Sequence, residues 1–328
     1  MSLDADIIVD RRRMRRKLTF WRVAAAVIAI CAVVAAGAAL RAPGTSMLTG
    51  GTGSAIARIT ISGFIRTDQD RVEALERLGR SGAPAVIVHI NSPGGTASGA
   101  EQLYDALMRL RERKPVVVVV DGLAASGAYI TAIAADRIVA LETALIGSIG
   151  VLVQYPNFTD LLKTIGVKVE EIKSSPLKAA PNGFEPTSPE ARAALEAVIL
   201  DTYDWFRKLV QTRRQLDEAT LDKVADGRVF TGRQSFALKL VDELGDESTA
   251  LTWLQKERKI DPKTPVRDYR LRDRLSDLPF LHTATIGVLD AVGLSSFARR
   301  LEQWGMIQAI ERLNLDGLLA LWHPPAAN

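Results

Sequence analysis

A serine that could act as a nucleophile lies between an apolar segment and a predicted helix. Ser126 belongs to the run DGLAASGAY at residues 121–129, in which small residues connect the two elements. The unpaired N–H groups of a first helical turn could stabilise the negative charge on a carbonyl oxygen that the hydroxyl attacks. A serine that only caps the helix has the same local sequence. The segment by itself therefore leaves both interpretations open.

A second segment offers backbone donors for the same chemistry. The run NSPGG at residues 91–95 directly follows a predicted strand. Its two glycines, Gly94 and Gly95, allow the backbone to turn sharply and to approach a ligand closely. A glycine N–H at this point could be a second donor to an oxyanion. Taken by itself, the segment could also be a plain turn.

A serine nucleophile needs a base, which is most often a histidine. The chain has three histidines. His89 lies within an apolar strand-like run, where a structural role is common, and His282 and His323 lie in the C-terminal part. None of them follows Ser126 at a suitable distance in the predicted core, so lysine becomes the alternative base.

A lysine acts as a base only when it is uncharged, and burial among apolar groups lowers its pKa. Lys178 has apolar neighbours, because Pro176 and Leu177 precede it and Ala179 follows it. Three other lysines have more polar or charged neighbours: Lys163, Lys168 and Lys173. Taken alone, Lys178 could also be a solvated lysine of a loop.

Apolar and charged segments alternate through the middle of the chain in a way that predicts an α/β fold. Predicted strands cover residues 57–65, 84–90, 116–120, 137–140 and 146–153, and predicted helices cover residues 69–80, 98–113, 126–135 and 188–214. The five consecutive valines at 116–120 indicate a strand that is buried on both faces. Residues 121–125 are predicted to be a turn, and residues 226–245 a turn and a short helix that close the domain.

The first forty residues predict a membrane anchor. Seven basic and three acidic residues lie within 1–22, so this segment accounts for the whole net charge of +4. Residues 23–40 are an unbroken apolar stretch, which as a helix would span about 27 Å and nearly cross the core of a bilayer. By the positive-inside rule, the basic segment stays in the cytoplasm and the rest of the chain lies outside it. A cleavable signal peptide with a site at residues 36–38 is the alternative.

The chain after residue 22 has no net charge, which argues against a nucleic-acid-binding domain, because such a domain carries its positive charge on the folded body. The predicted organisation is a cytoplasmic basic tail at 1–22, a transmembrane anchor at 23–40 and a linker at 41–54. A folded α/β domain at 55–257 follows, and residues 258–328 form a C-terminal helical extension with no assigned role.

Several short motifs together resemble the signal peptide peptidase A family over about residues 56–245. The matching segments are NSPGG at 91–95, AASGA at 124–128, IGSIG at 146–150, KSSPLK at 173–178, GRVFTGRQ at 227–234 and LVDELG at 240–245. Their shared order and spacing make the resemblance stronger than any single motif. One departure is Pro176-Leu177, where the family often has glycine and an aromatic residue before the lysine.

The resemblance implies a role for each matching residue. Ser126 would be the nucleophile, Lys178 the general base, and Ser148 the residue whose hydroxyl orients the lysine amine. The implied oxyanion donors are the N–H groups of Gly95 and Gly127, with Gly94 as a further candidate. Neither a metal ion nor a cofactor is implied, so the expected chemistry is peptide-bond hydrolysis by a serine endopeptidase.

The resemblance also implies a fold, an assembly and a location. The expected fold is the Clp/crotonase type, a spiral of βαβ units, and the expected assembly is a homo-oligomer in which serine and lysine come from neighbouring subunits. The expected substrates are remnant signal peptides in or at the membrane. With the N-terminal helix in the bilayer, the expected location is the bacterial inner membrane, with the catalytic domain on the periplasmic side.

Other functions compete with this interpretation. A Clp-like Ser-His-Asp peptidase would need a histidine about 25 residues after Ser126, where the chain reads IGVLV at 149–153. Acyl-CoA chemistry of the crotonase type shares the implied fold, but a membrane anchor and a serine at the turn between a strand and a helix argue against it. A non-catalytic membrane scaffold that binds peptides and an inner-membrane protease that acts on stomatin-like partners remain as alternatives.

Overall fold

The computed structural model of the chain describes residues 54–271 and 319–321. Its strands are β1 (Ile56–Ser62), β2 (Val86–Ser92), β3 (Gly94–Thr96), β4 (Val116–Ala125), β5 (Arg137–Ala140), β6 (Leu145–Gly147), β7 (Val229–Thr231), β8 (Glu243–Leu244), β9 (Val266–Asp268) and β10 (Leu319–Leu321). Its helices are α1 (Gln69–Arg80), α2 (Ala97–Arg111), α3 (Gly127–Ala132), α4 (Thr159–Thr164), α5 (Pro189–Arg214), α6 (Glu218–Val224), α7 (Gly232–Ala237) and α8 (Glu247–Arg258). This alternation confirms the predicted mixed α/β class.

The main sheet has the strand order β7-β6-β4-β2-β1-β9, and β5 pairs with both β4 and β8. Its pairings are parallel except that of β6 with β7, which is antiparallel. A separate two-stranded sheet joins β3 and β10 in antiparallel orientation. Because neighbouring strands are parallel, their carboxyl ends lie at one edge of the sheet. The candidate site residues Gly95, Ser126 and Ser148 lie at this edge.

The valine run forms the centre of the core. Val116, Val118 and Val120 belong to the larger cluster of buried side chains, which α1, α2, α3 and α5 cover. Val117 and Val119 point to the opposite face and pack with residues of α8. Because successive side chains of a strand face opposite sides, five buried valines in a row require a sheet that is covered on both faces.

Side-chain caps fix where several helices begin. Asp68 accepts a hydrogen bond from the N–H of Arg71 at the start of α1, and Ser188 accepts one from Ala191 at the start of α5. These caps satisfy N–H groups that have no partner within the helix. The first and last residues of α1 and β5 are the same as those of the predicted helix at 69–80 and the predicted strand at 137–140, so both predictions are confirmed.

Two local predictions are wrong. Residues 121–125 do not form a turn, because β4 continues to Ala125 and pairs there with β6. The predicted strand at 146–153 ends at Gly147, because Gly147 and Ser148 have φ angles of 106° and 50°, which a strand does not tolerate. The sheet also continues past residue 257, since β9 pairs with β1.

One long segment lies outside the hydrophobic core. No residue from 150 to 190 is buried, and we call this segment the arm. Several of its large apolar side chains are exposed to solvent in the single chain: Phe158, Leu161, Ile165, Ile172, Leu177 and Phe184. A concentration of exposed apolar side chains of this size is typical of a surface that another molecule covers.

Among residues 54–271 and 319–321, no helix is long and apolar enough to cross a bilayer. The predicted tail at 1–22, the predicted anchor at 23–40, the cleavage site at 36–38 and all but the last residue of the predicted linker at 41–54 lie outside the described residues. His282, His323 and most of the predicted helical extension at 258–328 lie outside them as well.

Candidate active site

The site lies where three neighbouring parallel strands end. β4 lies between β2 and β6 in the sheet. Ser126 directly follows β4, Ser148 directly follows β6, and the two glycines come just after β2. The structure therefore brings together three of the segments that the sequence singled out, from positions up to 54 residues apart in the chain.

The backbone of Ser126 adopts a conformation that is rare for a residue with a side chain. Its φ and ψ angles are 55° and −118°, and its side chain makes no capping hydrogen bond to α3. The interpretation of Ser126 as an ordinary N-cap is therefore wrong. Such strain costs on the order of 1–3 kcal/mol and is concentrated at functional sites, where surrounding structure enforces it.

The hydroxyl of Ser126 has only a weak partner within the chain. Its Oγ lies 3.4 Å from the carbonyl oxygen of Gly150, which is at the long limit for an O–H···O hydrogen bond. The residue is 1% exposed, so the hydroxyl is buried rather than on an open surface. A buried hydroxyl with so weak a partner is available to another group.

The strand geometry distinguishes the two glycines after β2. Two hydrogen bonds of 2.9 Å join this segment to Ile65. The N–H of Ile65 donates to the carbonyl oxygen of Gly94, and the N–H of Thr96 donates to the carbonyl oxygen of Ile65. Because backbone groups alternate along a strand, the N–H and C=O of Gly95 point to the opposite edge. The N–H of Gly94 already donates to Ser92 Oγ at 3.1 Å. Gly95 is therefore the better oxyanion donor.

Steric crowding explains why a glycine occupies position 95. A Cβ atom there would lie 1.8 Å from the carbonyl oxygen of Ile65, which is far inside any real contact. The other candidate donor is Gly127, the first residue of α3, whose N–H makes no hydrogen bond to any described residue. Gly127 immediately follows Ser126, so its N–H lies next to the serine hydroxyl.

Ser148 has the features of a positioning residue. Its φ angle is 50°, it is 8% exposed, and its N–H donates to the carbonyl oxygen of Arg228 at 2.8 Å. Its hydroxyl makes no hydrogen bond to any described part of the chain. The residue is largely buried but its hydroxyl has no partner in the described residues, so the position suits a hydrogen bond to a side chain supplied from elsewhere.

Lys178 lies on the arm and is exposed, as are Pro176, Leu177 and Ala179. Within the described residues its amine makes no hydrogen bond and no ion pair, and no hydrogen bond joins it to Ser126. The described residues of the chain therefore do not provide the apolar burial that the sequence indicated for Lys178.

The other lysines of the arm fit this role less well. Lys173 contacts Glu171 at 2.7 Å and Glu185 at 2.6 Å. Glu171 first and then Glu185 raise the pKa of Lys173, which favours the charged form and opposes action as a base. Lys163 forms an ion pair with Asp160 at 3.3 Å.

His89 has structural partners. Its Nδ1 lies 2.9 Å from Asp121, and its Nε2 lies 2.6 Å from Glu247. Glu247 also accepts two hydrogen bonds from Arg58. The sequence indicates a structural role for His89 but does not reveal this hydrogen-bond network. The members of the network come from β1, β2, β4 and α8, and no local motif connects them.

Comparisons with known proteins give a consistent result. The profile of Peptidase family S49 matches residues 108–261. A putative protease of Synechocystis sp. is 35% identical over 209 residues, which make up 63% of this chain and 76% of that protein. A putative signal peptide peptidase of Enterococcus faecium is 30% identical over 182 residues, which make up 55% of this chain and 53% of that protein.

Among solved structures, a mutant of ClpP1 from Listeria monocytogenes overlaps with 58% of this chain and 91% of its own chain, at 16% identity and a TM-score of 0.40. The region that the family profile matches contains Ser126, Ser148 and Lys178. The relatives and the profile confirm the resemblance to signal peptide peptidase A. The chain therefore belongs to peptidase family S49 and is a serine peptidase.

Proposed function

We propose that the protein is a membrane-anchored endopeptidase that hydrolyses peptide bonds with a Ser126–Lys178 dyad. The observation that carries the proposal is the conformation of Ser126. A strained backbone keeps its hydroxyl from capping α3, and the hydroxyl lies next to the N–H of Gly127, which makes no hydrogen bond to any described residue. A residue held in this way at the end of a central strand is suited to attack a carbonyl.

Each residue has a defined task in the proposed reaction. Ser126 Oγ attacks the carbonyl carbon of the substrate while Lys178 Nζ takes the hydroxyl proton. The N–H groups of Gly95 and Gly127 donate to the oxyanion that forms. When the intermediate collapses, Lys178 gives the proton to the leaving amine and an acyl-enzyme remains. Lys178 then removes a proton from water, which attacks the acyl carbon. As the ester bond to Ser126 Oγ breaks, Lys178 returns the proton to Oγ, and the carboxylic acid product leaves.

The lysine of each site comes, in this proposal, from a neighbouring subunit. Lys178 is exposed on an arm whose apolar side chains the described residues leave uncovered, and the hydroxyl of Ser148 lacks a partner in the same part of the chain. A second copy that covered the arm would bury both the apolar side chains and the amine. Burial lowers a lysine pKa, as a general base requires. Activity would then depend on assembly.

The proposal also assigns the protein a membrane location and a class of substrate. Residues 23–40 are apolar enough to anchor the chain, and the basic residues before them favour a cytoplasmic N-terminus. This arrangement would place the catalytic domain on the periplasmic side of the inner membrane, close to signal peptides that remain in the bilayer. The Enterococcus relative carries the name of a signal peptide peptidase.

A finer fold assignment is also proposed. The strand–helix–strand units β1-α1-β2 and β2-α2-β4, with their parallel pairings, are the repeating units of a Clp/crotonase-type spiral. Loops and ends of parallel strands on one side of such a sheet are where catalytic residues usually gather.

The dyad is tested with the detergent-solubilised full chain and a peptide substrate. We expect Ser126→Ala and Lys178→Ala each to lower kcat by about a thousandfold or more, because members of a catalytic unit act together. A fluorophosphonate probe should label the parent at Ser126. Lys168→Ala is the matched control, since Lys168 is an exposed lysine of the same arm. Unchanged hydrolysis in either dyad variant would refute the assignment.

A further inference from the structure

Ser92 is a buried polar residue beside the candidate site that takes no part in the proposed reaction. It is the last residue of β2 and is 0% exposed. Its hydroxyl donates to the carbonyl oxygen of Gly63 at 2.6 Å and accepts from the N–H of Gly94 at 3.1 Å. One buried hydroxyl therefore joins the segment that follows β1 to the first residue of β3.

The two partners of Ser92 belong to the two segments that fix the position of Gly95. Ile65, two residues after Gly63, pairs with Gly95 in a parallel bridge, and Gly94 directly precedes Gly95. The backbones of Gly95 and Ile65 approach so closely that no Cβ fits between them. A hydroxyl that holds Gly63 and Gly94 at the same time consequently restricts where the N–H of Gly95 can lie.

Ser92 also lies next to the strand that carries the nucleophile. Ile90 of β2 pairs with Val120 of β4, and the register then shifts so that Ser92 lies opposite Ala124. Over this step β2 advances by two residues and β4 by four. Ser126 follows Ala124 by two residues. Irregularities of this kind are common beside active sites, where they redirect a side chain. Ser92 is thus paired with β4 just before the nucleophile.

We propose that Ser92 is a positioning residue, whose hydroxyl holds Gly63 and Gly94 so that the N–H of Gly95 points to the oxyanion. This inference rests on the proposed function, because it takes Gly95 as an oxyanion donor. In this role the hydroxyl does not touch the substrate. It binds the N–H of Gly94 and so restrains a pair of glycines whose backbone would otherwise turn freely.

The effect of removing the hydroxyl follows from these contacts. In Ser92→Ala the buried N–H of Gly94 loses its partner, which costs free energy unless the backbone turns to find another one. Such a turn displaces the adjacent N–H of Gly95, and a displacement of about 1 Å can lower a rate about a hundredfold. The oxyanion forms only after the substrate has bound, so the loss should appear in kcat rather than in KM.

The test compares Ser92→Ala with Ser81→Ala in the detergent-solubilised full chain. Ser81 is the matched control, because its hydroxyl likewise donates to a carbonyl oxygen, that of Leu78, and accepts from the N–H two residues later, that of Ala83. It precedes β2, whereas Ser92 ends it. We expect Ser92→Ala to lower kcat about tenfold to a hundredfold with little change in KM, and Ser81→Ala to change neither. An unchanged kcat in Ser92→Ala overturns the proposal.

A peptide aldehyde separates positioning from a general loss of folded enzyme. Its carbonyl carbon bonds to Ser126 Oγ, the hydroxyl proton passes to Lys178, and the aldehyde oxygen becomes an oxyanion at the position where the donors bind. We expect the inhibition constant to rise in Ser92→Ala by the factor by which kcat falls. A smaller fraction of active molecules would lower kcat and leave this constant unchanged, and that result refutes the positioning role.

Hydrogen–deuterium exchange tests the hydrogen bond without any activity. We expect Ser92→Ala to expose one additional fast-exchanging amide, that of Gly94, in the peptide that covers β3, and Ser81→Ala to expose none there. Unchanged exchange in Ser92→Ala would contradict the proposed restraint.

The outcomes separate this inference from the proposed function. If hydrolysis does not depend on Ser126, the proposed function fails and the role of Ser92 at the oxyanion fails with it. If hydrolysis depends on Ser126 and Lys178 but Ser92→Ala matches the parent in kcat and in inhibition, the proposed function stands and the positioning role of Ser92 is refuted.

Discussion

The N–H of Ser126 donates a hydrogen bond to the carbonyl oxygen of Gly147 at 2.7 Å. This bond ties the end of β4 to the end of β6, so Ser126 and Ser148 are held at neighbouring strand ends. Two residues with positive φ angles, 55° and 50°, are thereby fixed relative to one another by the sheet itself. The relationship places Ser148 at the strand end next to that of Ser126, and in the proposed reaction its hydroxyl would orient the incoming amine.

The hydroxyl of Ser148 should therefore matter for turnover more than for stability. We expect Ser148→Ala to lower kcat by about tenfold to a hundredfold, as loss of a group that orients a catalytic residue typically does. KM and the melting temperature should change little, because this hydroxyl bonds to no described residue. Steady-state kinetics and thermal unfolding provide the two readouts. A fall in melting temperature with unchanged kcat would instead indicate a structural role.

The strain at Ser126 predicts an unusual order of stability among inactive variants. Ser126→Ala and Ser126→Gly both remove the hydroxyl, but only glycine tolerates a φ angle of 55° without penalty. We expect Ser126→Gly to be more stable than Ser126→Ala by about 1 kcal/mol, even though glycine gains more entropy on unfolding. Chemical denaturation of the two variants measures the difference. A less stable glycine variant would contradict the strained conformation.

The close approach of Gly95 to Ile65 predicts that a single methyl group is harmful. In Gly95→Ala the new Cβ would meet a backbone oxygen, so β3 has to move away from its position. We expect a loss of about 1–3 kcal/mol of stability, as overpacking typically costs, and a large loss of activity. Gly82→Ala is the control, because a Cβ there meets nothing within 4 Å. Equal effects of the two substitutions would be inconsistent with the described geometry.

The pKa of Glu247 predicts how stability depends on pH. Its carboxylate accepts hydrogen bonds from Arg58 and His89, and Arg58 is the larger cause that lowers this pKa below the usual glutamate value. A group with a lowered folded-state pKa stabilises the fold above its unfolded pKa, about 4.3. This contribution is lost as the pH falls through the lower folded pKa. Stability should therefore decrease as the solution is acidified below about pH 4.3.

The variant Glu247→Gln isolates this effect. At neutral pH we expect it to lower the free energy of unfolding by about 1–3 kcal/mol, the typical range for hydrogen bonds to charged groups. The difference from the parent should shrink as the pH falls below about 4.3. Glu257→Gln on the same helix, whose carboxylate has no ion pair within the described residues, serves as control. A difference that is constant across this pH range would contradict the assignment.

Much of the fold follows from local sequence. The valine run requires a strand buried on both faces, and the cap residue Ser188 with Pro189 after it marks the start of α5 at the correct position. The extension of β4 to Ala125 could not be predicted in this way, because glycine and alanine at 122–125 resemble a turn. Only pairing with β6, a partner distant in sequence, makes them a strand.

The candidate site was predictable to a different extent for each residue. Motifs identified Ser126 and Ser148, and the structure places both at neighbouring strand ends. The choice between Gly94 and Gly95 needed the contacts with Ile65 and Ser92, which no local pattern encodes. The sequence left the exposure of Lys178 open, because its apolar neighbours indicate burial without saying which chain provides it, and a solvated loop lysine was the alternative.

The central claim is that each active site combines Ser126 of one subunit with Lys178 of another, and subunit mixing tests it most directly. Ser126→Ala and Lys178→Ala chains are purified separately, mixed in equal amounts under conditions that allow exchange, and assayed on a peptide substrate. We expect no activity in either variant alone. In the mixture, about a quarter of the sites should recover, because each site draws its two contributing subunits independently from equal populations. A mixture that exchanges subunits and stays inactive would contradict the shared site.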